Sequence, residues 1–143
     1  MSKSMLLFVA AVALAIGGLS MVKPTSAEER GKERVFELRT YTTPDGKLDA
    51  LNARFRDHTN KLFVKHGMEL IGYWTPVEEK DGSKNKLIYV LAHASREAAE
   101  KSWAAFRADP EWVAAKAASE KDGSLTTKVE SVFMRPTDYS PLK

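Results

Sequence analysis

Cysteine is absent from all 143 residues. That excludes a disulfide framework, a thiolate metal site and a cysteine nucleophile, so any fold must be held by its core and by subunit contacts. Histidine is nearly as scarce, at three. His58 and His66 lie about 12 Å apart along a helix, too far for one metal ion to reach both, and no metal or other cofactor is expected. No glycine-rich phosphate loop, no Gly-x-Ser-x-Gly elbow and no Asn-x-Ser/Thr sequon occurs. A dominant charge sign is missing too: 22 Lys and Arg stand against 19 Asp and Glu. Without a clustered basic face there is no footprint for a nucleic-acid backbone.

Long apolar runs are also lacking, with one exception. Met5 to Leu19 is apolar or small throughout, follows Lys3, and leads to Thr25-Ser26-Ala27 and then Glu28-Glu29. This is the layout of a secretory signal peptide over residues 1–27, with cleavage expected after Ala27 and a periplasmic or secreted product. The alternative is an uncleaved anchor, the one way this chain would engage a membrane, since Met5 to Val22 approaches the ~20 residues a span needs; Gly17, Gly18 and Ser20 break its apolar end and favour cleavage. Cleavage removes Lys3, Lys23 and no acidic residue, which brings the formal charge from +3 to +1.

What remains is one domain over residues 34–143. Alternation over Arg34–Thr42 predicts a strand. Pro44-Asp45-Gly46 is a turn. Leu48, Leu51, Phe55, Thr59, Leu62 and Phe63 recur at helical spacing, predicting one helix over Lys47–His66 that ends at Gly67. Strands are expected at Met68–Thr75 and Asn85–Ala94 around a polar loop, Glu78–Lys84. Ser95 is an expected N-cap for a helix over Arg96–Ala108, and Asp109-Pro110 for a short one over Glu111–Ser119. Leu125–Met134 is the last strand. The order describes an α+β domain of ferredoxin-like βαββαβ type with an extra short helix and a four-stranded antiparallel sheet. Its open face carries more apolar surface than the helices cover, which predicts a homodimer packed sheet to sheet.

Three phrases stand in order along this domain: Glu37-Leu38-Arg39-Thr40-Tyr41, Asp109-Pro110-Glu111-Trp112, and Met134-Arg135-Pro136-Thr137-Asp138-Tyr139-Ser140-Pro141. With His66-Gly67 and Gly72-Tyr73-Trp74 they resemble the NIPSNAP family. The resemblance runs from about Val35 to Leu142 and implies a ferredoxin-like domain that pairs into a dimeric α/β barrel. It implies no reaction, and it places His66 at a recurring position where a pocket rim would lie.

For a site, Phe36 and Leu38 are assigned to the helix side as the more apolar set. Glu37, Arg39 and Tyr41 are then expected on the open face, with Tyr89 and His93 from the third strand and Glu130 from the fourth. His93 would act as a base tuned by Glu37 or Glu130, and Arg39 would hold an anionic ligand. Tyr41, Tyr89, Glu130, His66 and Trp74 complete the ligand-binding set. The competing expectation is that Arg39 forms a structural ion pair with Glu37 or Glu130. A haem would need His66 or His93 as its axial ligand. Three functions stay open: a module binding a small molecule, a cofactor-independent oxygenase or isomerase, and a structural interaction protein.

Overall fold

A computed structural model describes residues 33–143. The leader read in residues 1–27 lies outside the described residues. Four strands, β1 (Val35–Thr42), β2 (Glu69–Trp74), β3 (Lys86–His93) and β4 (Lys128–Met134), form one antiparallel sheet in the order β2-β3-β1-β4. Between β1 and β2 run α1 (Leu48–Arg54), a π-helical turn (Phe55–Thr59) and α2 (Asn60–Lys65). Between β3 and β4 run α3 (Arg96–Ala108) and α4 (Pro110–Ser119). This is the expected ferredoxin-like order, with boundaries unchanged or moved by one residue, except that β4 starts at Lys128 instead of Leu125.

The local signals act as chemistry requires. The Ser95 hydroxyl accepts from Ala98 N at 3.0 Å, and an Asp109 carboxylate oxygen accepts from Glu111 N at 2.8 Å, so both capped helices start where their orphan N–H groups find an acceptor. Gly67 has φ +79°, and its N–H and that of Met68 bond back to Val64 and Phe63, closing α2 in a left-handed cap. The π turn was not legible in the spacing. It inserts one extra residue into the long helix, and the Thr59 hydroxyl donates to the Arg54 carbonyl at 3.2 Å. Leu51, Phe55, Thr59, Leu62 and Phe63 consequently all face the core.

That core lies between the helices and one face of the sheet, where Phe55, Phe63, Trp103 and Phe106 pack on Leu87, Tyr89 and Leu91. Glu37, Arg39 and Tyr41 share this face, because Arg39 pairs across with Tyr89. The expected orientation of the sheet is therefore inverted. Phe36, Leu38, Ile88 and Val90 face away from the helices, and the charged set faces in. The physical reason is that the inward carboxylate and guanidinium satisfy each other, so burying them costs less than their composition suggests.

The outward face carries an apolar groove of about 390 Å³. Phe36, Ile71, Val90 and Met134 form its floor with Trp74, beside the chain after β4. Trp74 is 53% exposed and Val132 54%. The Trp74 ring lies over Gly72, where an added Cβ would come within 2.5 Å of the indole. No helix among the described residues covers this face.

Candidate functional site

Glu37 is the hub of the helix-facing side and is 1% exposed. One carboxylate oxygen accepts from Arg39 Nη1 and from the Ser131 hydroxyl, each at 2.6 Å. The other accepts from Trp103 Nε1 at 2.7 Å and from His93 Nε2 at 3.0 Å. A carboxylate only accepts, so His93 carries its proton on Nε2. Burial alone would raise the Glu37 pKa. The bonds from His93, Ser131, Trp103 and Arg39 outweigh it and hold the group at about 2 against an ordinary 4.5. Four elements meet in this one side chain: β1, β3, β4 and α3.

Arg39 is the part of the hub that reaches the surface. Its guanidinium stacks on the Trp103 ring at 4.3 Å and its Nη2 lies 3.4 Å from the Tyr41 hydroxyl. It lines a cleft between α3 and β4 together with Glu37, Arg96, Glu100, Trp103, Arg107, Ser131 and Phe133, three cations against two carboxylates. Arg96 stacks over Phe133 at 4.0 Å and pairs with Glu100 at 2.9 Å. Arg107 has no ion-pair partner among the described residues. Ser131, Arg39, Tyr89 and Tyr73 also form one row across all four strands, in register. Burial pushes the Tyr89 and Tyr73 hydroxyls up, so both stay protonated.

The structure brings together five of the expected residues and separates three. Glu37, Arg39, Tyr41, Tyr89 and His93 converge, beneath the helices and not on the open face. Glu130 pairs in register with Thr40 and so faces the opposite way, where it meets Lys128 at 2.8 Å. It does not reach Arg39, and the ion pair belongs to Glu37. Trp74 lies on the open face. His66 lies apart from both, with Nε2 at 2.7 Å from Asp109. Asp109 also meets Lys65 at 2.8 Å, and Lys65 first and His66 second hold its carboxyl well below the ordinary range. His93 donates Nε2–H to Glu37, which leaves its basic nitrogen, Nδ1, without a partner among the described residues but buried, so the imidazole is shut off from any molecule in the cleft. As an axial ligand it would have to leave the core. Among the described residues no group of three or more His, Asp or Glu is placed to hold a metal ion, and no helix is long and apolar enough to cross a membrane.

Trp103 and Ser131 are the residues that the sequence reading missed as site members. Trp103 is a core residue of α3, but a buried indole N–H needs an acceptor, and the carboxylate on the facing strand is the available one.

The family model of NIPSNAP matches residues 36–141. Among solved structures, a NIPSNAP family protein with unknown function from Agrobacterium tumefaciens superposes with a TM-score of 0.66 at 26% identity, covering 78% of this chain and 96% of its own. A NIPSNAP-like domain protein from Burkholderia xenovorans gives 0.66 at 18% identity, covering 77% and 90%. SnoaB, a cofactor-independent oxygenase from Streptomyces nogalater, gives 0.52 at 14% identity, covering 76% and 98%, a likeness of fold alone. No curated protein matches the sequence.

Proposed function

This chain belongs to the NIPSNAP family, and from that footing we propose that it works as an exported, homodimeric module that binds a small anionic molecule. The observation that carries the reading is the held position of Arg39. Glu37 grips one guanidinium nitrogen from below and Trp103 supports its face, so the group enters the cleft already oriented. Arg107 stands at the same cleft, as does Arg96, whose charge is already met by Glu100. Planar guanidinium groups match a carboxylate in two-point geometry, and pre-orientation spares the entropy of ordering a long side chain on binding. A molecule bearing a carboxylate is the ligand class that this cleft suits.

The second half of the reading concerns the open face. Trp74, Val132 and Met134 are exposed beside Phe36, Ile71 and Val90, an apolar surface larger than monomers commonly leave in water. A second copy packed sheet to sheet would cover it and close the groove. The alternative of a cofactor-independent oxygenase or isomerase rests on likeness of fold, and the burial of His93 speaks against it as the catalytic base.

Native mass spectrometry of the protein from its host's exported fraction tests both halves. The expected species is a dimer with a discrete small acidic adduct, and Arg107→Ala should shed the adduct while remaining a dimer. A dimer that never carries or takes up a carboxylate would overturn the ligand reading, and a monomer would overturn the sheet-face reading.

A further inference from the structure

At the opposite end of the cross-strand row, the π turn covers a second cleft of about 290 Å³, formed by Asn52, Phe55, Arg56, Asn60, Tyr73 and Leu87. Two side chains that line it have buried polar atoms with no partner among the described residues: the Tyr73 hydroxyl and Asn60 Oδ1. Buried polar atoms are nearly always paired, so two orphans on one cleft call for a cause. The ring that carries the Tyr73 hydroxyl is held in place by its neighbours. Tyr73 stacks on Tyr89 with centroids 5.4 Å apart and planes 18° from parallel, and Phe55 packs edge-on to both rings at 6.0 and 5.2 Å. Single π turns in α-helices occur frequently at functional sites, and this one carries Phe55 at one end and places Asn60 directly after the other.

We propose that this cleft is a binding site for a small phenol, distinct from the Arg39 cleft. The chemistry of the walls selects the class. Asn60 Oδ1 accepts and needs a donor; the Tyr73 hydroxyl, kept protonated by burial, donates and needs an acceptor. A hydroxyl group supplies both, whereas an amine on a ring donates well and accepts poorly. Phe55, Leu87 and the Tyr73 ring offer apolar and aromatic walls to the rest of the molecule, and the volume suits one ring more than several. Arg56 is a cation at this cleft, which favours the electron-rich oxygen of a phenol over a neutral alkyl chain.

The test uses p-cresol and toluene, which differ by the hydroxyl, titrated into the nitrogen-15-labelled protein in the form its host matures. Saturable amide shifts with p-cresol at Asn52–Asn60, Tyr73 and Leu87 are expected, with toluene bound at least tenfold more weakly. Tyr73→Phe keeps the ring stack and should weaken p-cresol about fivefold to tenfold, the scale of one hydrogen bond, without changing toluene. Asn60→Leu should do the same through the other orphan. The proposal falls if p-cresol gives no saturable shift, if the shifts map to the Arg39 cleft or the open-face groove, if the two probes bind alike, or if both variants bind p-cresol as the parent does.

Discussion

Replacing Glu37 by Gln removes one charge and almost no volume, and the structure says why that should be severe. Each carboxylate oxygen accepts two bonds. A Gln amide can put its oxygen on only one of those pairs. With its NH2 toward Arg39 and Ser131, the serine hydroxyl can turn to accept but the guanidinium cannot. With its NH2 toward His93 and Trp103, the imidazole can change tautomer but the indole cannot. Either way one buried donor is orphaned, and Arg39 keeps a partly buried charge with no counter-ion. Breaking a buried pair in this manner costs about 3–5 kcal/mol, against a total of roughly 5–15 kcal/mol for a domain. Ser131→Ala, which removes one donor and no charge, should cost about 1–2 kcal/mol. Urea unfolding at fixed protein concentration, followed by tryptophan fluorescence, measures both. The pH dependence is a second signature. A carboxyl lowered to about 2 contributes stability that is complete above its ordinary 4.5 and lost as pH falls toward 2. That difference amounts to about 3 kcal/mol at ~1.4 kcal/mol for each tenfold in acidity. The parent should lose this increment on acidification and Glu37→Gln should not. A variant within 1 kcal/mol of the parent at pH 7, or one with the parent's full acid dependence, would refute the hub.

Asp109→Asn should keep the N-cap of α4 and lose the ionic contacts to Lys65 and His66, while Asp109→Ala loses both; the melting temperature should fall in that order, with Ala lowest. Gly67→Ala places a Cβ at φ +79°, where space is ample and the backbone is not, so it should cost about 1–2 kcal/mol in the same urea assay with no change in ligand binding. Trp74→Lys puts a charge on the open face; sedimentation should show the dimer weakened, and helix content by circular dichroism should be unaltered. A Trp74→Lys protein that sediments as the parent would place any dimer contact elsewhere.

The fold was legible because its signals are local. Ser95, Asp109 and Gly67 each solve a helix-end problem within a few residues, and the alternation in β1 and the apolar run in β3 mark strands whatever they pack on. The π turn was not legible, since one inserted residue leaves Leu51, Phe55, Thr59 and Leu62 at spacings that an ordinary helix also tolerates. The site was half legible. Alternation tells which residues share a face of a strand, and it placed Glu37, Arg39 and Tyr41 together correctly. It carries no information on which face turns toward the helices.

That choice was made by composition, and composition misled for an identifiable reason. Counting apolar residues treats a buried charge as a cost to be avoided, which holds only while the charge is alone. Here the partners of Glu37 come from Arg39 two residues away, His93 on β3, Trp103 on α3 and Ser131 on β4, and only the first is visible locally. Once the network is closed, the inward side of β1 no longer needs apolar residues, and Phe36 and Leu38 are left for the other face. The inversion thus bears on both halves of the proposed function at once. The same turn of the sheet that carries Arg39 into the α3–β4 cleft also presents an apolar outer surface, one that a second copy would cover.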